Sequence, residues 1–263
     1  MARRVEACVV FSLLLAAASC GSPAPQGGQA PAASARAAAP APAPAEAPAA
    51  LPGDSRITGR IKFEGTAPAA RVIRMDSDQL CMPEGPNTSE VIMVGPGNAL
   101  QNVFVYVKDG LGDRTFPAPR TPVILDQKGC KYSPHVFGIQ VGQPLTILNS
   151  DSTLHNVHAV PKANAEFNFG QAKKGQDATR SFDKPEVMVP FRCDVHGWMN
   201  AYGGVVAHPF YAVSKPDGSF EIRGLPAGTY TIEAWHERLG TQTTKVTVDG
   251  KSGATAAFAF KAT

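Results

Sequence analysis

From residue 55 onward, apolar side chains recur at every second position in short runs: Ile57-Gly59-Ile61-Phe63, Val103-Val105-Val107, Val123-Leu125, Val136 to Val141, Leu145-Ile147 and Val157-Ala159. A period of two puts alternate side chains on one face of an extended chain, so each run predicts a strand with one buried face. Turn chemistry separates the runs at Asp109-Gly110, Lys128-Gly129, Val141-Gly142, Pro216-Asp217-Gly218 and Pro226-Ala227-Gly228. No window carries the 3.6-residue period of an amphipathic helix. Short strands broken by frequent Gly and Pro turns belong to sandwiches and barrels, so the predicted fold class is all-β.

The residues before 54 read differently. Arg3 and Arg4 precede a short apolar core, Val9 to Ala18, and small residues lead to Cys20. That core is too short to span a bilayer as a stable helix, so residues 1–20 are read as a targeting segment. Cys20 directly after Ala17-Ala18-Ser19 resembles a bacterial lipobox, although Leu is commoner than Ala three places before the Cys. The resemblance implies a lipoprotein signal peptide, acylation of Cys20 and an N-terminal membrane anchor. The alternative is an ordinary signal peptide cleaved nearby. Residues 21–53 are almost entirely Ala, Pro, Gly, Ser and Gln. They hold too few large apolar side chains to offset the entropy of ordering them, which predicts a disordered linker. At about 3.1 Å per residue, a Pro-rich tether of this length reaches up to roughly 100 Å. Together these segments imply an exported protein, a periplasmic or cell-surface lipoprotein anchored at Cys20. The formal charge of +3 is small and unclustered, which argues against a nucleic-acid partner.

The chemistry concentrates in Cys193-Asp-Val-His196-Gly-Trp-Met199, with His155 upstream in Leu154-His-Asn-Val-His158. One thiolate, two imidazoles and one thioether are the ligand set of a blue-copper electron-transfer site, with two His and one Cys in a plane and a weak axial Met. Three ligands on one short loop and a fourth from a distant strand let a rigid β-framework fix the geometry. Rival metal readings fail on counting. A dinuclear copper centre needs two Cys on the loop, c-type haem needs Cys-x-x-Cys-His, and structural zinc wants more than one Cys from such a loop.

The residues around this loop carry a resemblance. Pro122 to Val136, Ile139-Gln-Val-Gly-Gln-Pro-Leu-Thr-Ile-Leu-Asn149 and the His155-Asn156 pair come in the order of the plastocyanin and amicyanin branch of the cupredoxins. Val189-Pro-Phe-Arg-Cys193 through Val206 resembles that family's last two strands and the copper loop between them. The resemblance covers about a third of the chain and implies a Greek-key barrel or sandwich over residues 119–206. A second block, Phe210 through Trp235 and then Thr243 to Val248, resembles the carboxypeptidase regulatory-like domain, a prealbumin-type sandwich of carbohydrate-binding-like fold. Its Asp217-Gly-Ser-Phe and Leu225-Pro-Ala-Gly-Thr-Tyr turns carry that match. Such a domain begins with earlier strands that are missing between 206 and 210. The expectation is therefore a discontinuous sandwich of residues 54–118 and 207–263 with the cupredoxin inserted. The alternative is three consecutive pieces, with 55–118 extending the cupredoxin.

The cupredoxin resemblance implies one mononuclear copper held by His155, Cys193, His196 and Met199, with Asn156 bracing the ligand loop. It implies that His196 is the exposed ligand, whose ring edge passes the electron. The family's loop has Pro after this His, where Gly197 stands here. His158, three residues from His155 on a strand, is expected on the opposite face in a surface or packing role, against a ligand swap or second metal. His135 is expected to be structural near the Cys130 turn, and His208 and His236 to be ordinary polar residues. Of five cysteines, Cys8 and Cys20 fall in the targeting segment and Cys193 goes to copper. Cys81 and Cys130 remain, a disulfide pair in an oxidising compartment or else two buried thiols.

The leading expectation is single-electron transfer between exported redox partner proteins, with no bond chemistry and thus no enzyme activity. The runner-up is a cell-surface carbohydrate- or protein-binding lipoprotein in which the cupredoxin is structural. A third reading is copper delivery, where exchange rather than redox is the task.

Overall fold

The computed structural model describes residues 53–82 and 87–262. The targeting segment with Cys20, and the linker up to residue 52, lie outside the described residues. Among those described, the protein is all-β, and helix is confined to the single 3-10 turns Gln79–Cys81 and Pro96–Asn98. Among the described residues, no helix is long and apolar enough to cross a membrane.

Four sheets form two sandwiches. In the first sandwich, Ser55–Glu64 lies between Gly253–Lys261, its parallel partner, and Ser219–Leu225, with Ala99–Leu100 and Val94–Gly95 extending the sheet. The facing sheet runs Tyr211–Val213, Phe104–Asp109, Gly228–His236, Gly240–Val248. The period-two pattern explains their shared core. Ile57, Ile61 and Phe63 from one sheet meet Val105, Val107, Tyr230 and Ile232 from the other, all essentially buried. The second sandwich pairs the sheet Phe167–Gln171, His155–Ala159, Glu186–Arg192, Asn200–Val206, Val136–Gln140 with the sheet Asp177–Arg180, Leu145–Asn149, Val123–Gln127, Tyr132–Ser133. Its core is built on Leu125, Ile139, Ile147, Val157, Phe182, Val189 and Phe191.

Strands from residues 55–64 and 104–109 thus pair with strands from beyond residue 210, while strands between 123 and 206 pair among themselves. One stretch of the early chain departs from this division. Met75 and Cys81 pack in the core of the second sandwich, so the segment around them crosses over from the first.

The two sandwiches meet sheet against sheet. Phe104 and Tyr106 alternate with the core-facing Val105 and Val107 and project to the other side. There they pack on Val136 and Val206, with Tyr202, Tyr211 and Trp235 at the margin. The close approach depends on Gly138 and Gly204, partners across two parallel strands. A Cβ at Gly204 would lie 2.4 Å from the Phe104 ring, and one at Gly138 2.2 Å from the Tyr211 ring. A buried pair joins the same faces: His135 Nε2 lies 2.5 Å from the Glu237 carboxylate, and its Nδ1 faces the Asn200 carbonyl at 3.1 Å. His135 is structural, as expected, but its partner belongs to the other sandwich rather than to the Cys130 turn.

Candidate metal centre

The second sandwich ends its strands at one rim, and the four sequence-predicted ligands are found there. His155 opens the strand His155–Ala159, Cys193 follows the last residue of Glu186–Arg192, and Met199 precedes Asn200–Val206. His196 lies on the loop between those last two strands. His155, Cys193, His196 and Met199 are 0–3% exposed. The His155 and His196 Nδ1 atoms are 3.0 Å apart, and Cys193 Sγ is 4.0 Å from His196 Nδ1. One ligand atom from each of His155, Cys193 and His196 falls within 4.8 Å of the others.

The loop is closed by its own backbone. The Cys193 amide donates to the Met199 carbonyl at 3.2 Å, and the Met199 amide to the His196 carbonyl at 2.8 Å. The Cys193 sulfur accepts two backbone N–H groups, from His196 at 3.3 Å and Asn156 at 3.4 Å. Such bonds stabilise charge on the sulfur and tune a bound metal. Asn156 also accepts the Asp194 amide through its side-chain oxygen at 3.0 Å, so it joins the His155 strand to the Cys193 loop. Beneath them, the Tyr132 hydroxyl lies 2.5 Å from the Asn156 carbonyl and 3.0 Å from that of Arg192, holding the two ligand strands together. Burial drives the Tyr132 hydroxyl pKa far up, so it stays a neutral donor. At Gly197, an added Cβ would meet nothing within 4 Å, so the loop has room for a side chain there.

Protons are assigned by carboxylates. His155 Nε2 faces Asp151 at 2.9 Å, and His196 Nε2 faces Asp78 at 3.1 Å. An ionised carboxylate only accepts, so this geometry favours a hydrogen on each Nε2 and directs each Nδ1 toward the cluster. Hydrogen bonds from the Thr153 hydroxyl and the Leu80 amide hold the Asp78 carboxyl below its ordinary pKa, keeping it ionised. Burial pushes the His155 pKa down, which favours the neutral imidazole that metals bind. Asp151 is itself fixed by accepting the Gly129 and Cys130 amides, both at 2.8 Å.

Here the structure corrects one expectation. His196 is not at the surface; it is 3% exposed. The crossing segment covers it: Asp78 sits against Nε2, and Cys81 Sγ lies 3.8 Å from the same atom. Cys81 is disulfide-bonded to Cys130, which fastens this cap to the rim. The Trp198 ring lies 5.0 Å from the His196 ring, tilted by 34°, and its Nε1–H donates to the Cys130 carbonyl at 3.0 Å. The cap presents Leu80 and Met82 outward, 66% and 60% exposed.

The remaining histidines stand apart from the cluster. His158 faces away from it, with its ring nitrogens on Asp194 at 2.9 Å and Glu166 at 2.6 Å. His208 contacts the Val107 carbonyl at 2.9 Å. His236, read from sequence as an ordinary polar residue, is instead 1% exposed in the first sandwich. Sequence reasoning missed Asp151, Asp78 and Tyr132. Asp151 stands four residues before His155, a local signal that could have been weighed. Asp78 carries no such signal, being 118 residues from His196.

No family model and no curated protein matches the chain. Solved structures do. A copper-containing nitrite reductase from Thermus scotoductus SA-01 is 21% identical over 36% of this chain and 24% of its own, with a TM-score of 0.31. A point mutant of amicyanin in its Cu(I) form is 21% identical over 38% of this chain and 97% of its own, with a TM-score of 0.29. A purple cupredoxin from Nitrosopumilus maritimus is 22% identical over 32% of this chain and 98% of its own, with a TM-score of 0.28. The chain spans about a quarter of the nitrite reductase it resembles, and these likenesses cover between 32% and 38% of this chain.

Proposed function

We propose that this protein binds one copper ion through His155, Cys193, His196 and Met199 and carries single electrons between exported redox proteins. One observation carries the reading: two imidazole Nδ1 atoms and a cysteine sulfur converge in a buried cluster, and each imidazole's Nε2 is set against a carboxylate. Nitrogen and sulfur donors gathered in this way are placed to share a cation. Soft sulfur with imidazole is the donor chemistry that suits copper.

Copper in such a site supplies a one-electron couple. The chain contributes rigidity, since the ligands sit at strand ends over a packed core and the loop is closed by backbone hydrogen bonds. It also excludes water, because all four ligand side chains are buried. That burial weighs against copper delivery, which needs a ligand open to exchange. With His196 beneath Asp78 and Cys81, the electron crosses the cap rather than leaving through a bare imidazole edge. We read the protein as a lipoprotein anchored at Cys20, with the linker as its tether and no catalytic chemistry of its own. The first sandwich, read as a carboxypeptidase regulatory-like module, is the support on which the copper sandwich stands.

The test is a visible absorption spectrum of the purified protein after one equivalent of Cu(II). An intense blue, green or purple band that is absent in Cys193→Ser is expected from copper–thiolate bonding. A protein that binds copper without colour, or binds none, overturns the reading.

A further inference from the structure

We propose that Asp78 is a positioning residue for the metal centre, supplied by the crossing segment, which fixes the His196 tautomer and seals that ligand from solvent. The inference rests on the copper reading only for its consequence on metal binding; the tautomer is a property of the metal-free protein.

The argument is geometric. His196 has two ring nitrogens, and the site needs Nδ1 bare. Nδ1 faces His155 Nδ1 at 3.0 Å and Cys193 Sγ at 4.0 Å, while Nε2 faces the Asp78 carboxylate at 3.1 Å. With the carboxylate removed, nothing of comparable strength holds the proton on Nε2, since the other neighbour is the disulfide sulfur of Cys81 at 3.8 Å, a weak acceptor. The proton can then move to Nδ1, where it occupies the lone pair the metal needs.

Asp78 is itself aimed. The Thr153 hydroxyl donates to Oδ2 at 2.7 Å and the Leu80 amide to Oδ1 at 2.9 Å, so both oxygens are engaged and the rotamer is set. Thr153 lies two residues before His155, so one short stretch supports both histidines. The disulfide to Cys130 then fastens the segment that brings Asp78 into place. A carboxylate behind a ligating imidazole raises its basicity and orients the ring, and removing such a partner lowers metal affinity by about 10–100-fold. Its negative charge also favours the more highly charged metal ion, so it lowers the reduction potential.

The experiment compares the full-length wild type, Asp78→Ala and Asp78→Asn. In the metal-free proteins, 15N-edited spectra of the histidine rings report the His196 tautomer. In the metal-bound proteins, competition titration with Cu(II) and redox potentiometry report affinity and potential. The expected result is Nε2–H in the wild type, a shift toward Nδ1–H in Asp78→Ala, and a loss of Cu(II) affinity of about 10–100-fold. Asp78→Asn keeps an acceptor without the charge; it should retain more of the Nε2–H tautomer and raise the potential. An unchanged tautomer in both variants, with affinity and potential also unchanged, overturns the role of Asp78. A tautomer shift in a protein whose wild type gives no copper–thiolate band upholds Asp78 as the positioning group and sinks the copper reading alone.

Discussion

The Nδ1 atoms of His155 and His196 lie 3.0 Å apart, and Asp151 and Asp78 face the Nε2 atoms on the far side of each ring. A cation between these rings would find its ligands already gathered in the folded state and scattered in the unfolded one. Stability should therefore depend on metal. Cu(II) at a hundredfold excess over its Kd should add about 2.7 kcal/mol by mass action. Thermal melts with and without Cu(II), and after removal by a chelator, measure it. The gain should vanish in His155→Ala.

Asp151 serves two purposes, so its loss should show in two readouts. Asp151→Ala frees the His155 tautomer and should lower Cu(II) affinity by about 10–100-fold. It also leaves the partly buried Cys130 amide without its acceptor, which should cost about 1–3 kcal/mol in urea unfolding. A variant with unchanged affinity would remove Asp151 from the metal centre.

The joint between the sandwiches should be separable from the site. In Gly204→Ala the new Cβ would fall 2.4 Å from the Phe104 ring, so the two sheets must move apart. Overpacking of this kind costs about 1–3 kcal/mol. The penalty should shrink in a Phe104→Leu background, because the two residues share one contact. The copper spectrum should not change, since neither residue touches a ligand. Urea midpoints of the two single variants and the double variant decide it.

Acid should destabilise the fold through His236. Its Nδ1 accepts the Arg238 amide at 3.1 Å and its Nε2 has no hydrogen-bond partner in the first sandwich core. Burial depresses its pKa to about 4, against about 6.5 in an unfolded chain. The unfolded state then binds the extra proton between those values. Stability should be fully present above about pH 6.5, fall as pH drops toward 4, and lose nothing more from this group below that. The window corresponds to up to about 3 kcal/mol. Urea unfolding at pH 7 and pH 4.5 should show the loss in the wild type and a smaller one in His236→Gln.

Much of the strand content was legible because alternation is local. Ile57, Ile61 and Phe63 announce a buried strand face, and the Gly turns at 110, 129, 142 and 218 adopt the positive φ that favours glycine. The loop from Cys193 to Met199 was legible for the same reason, since spacing along the chain is enough to place a thiolate, an imidazole and a thioether on one turn. His236 and His135 were not, because a histidine on a strand reads the same whether its face meets water or another sheet. Phe104 and Tyr106 show the limit of period two: it says which side chains share a face, not what covers that face.

What the sequence by itself determined is the spacing of Cys193, His196 and Met199 on one loop and the strands that flank it, because both depend on neighbours a few residues apart. Only the tertiary structure decided that His196 is covered, that Asp78 faces it from 118 residues away, and that Gly138 and Gly204 admit a second sandwich against the first. Those outcomes depend on which distant surfaces pack together. Hydrogen bonds and close contacts form only once packing has brought the groups into range, and no local pattern records that encounter.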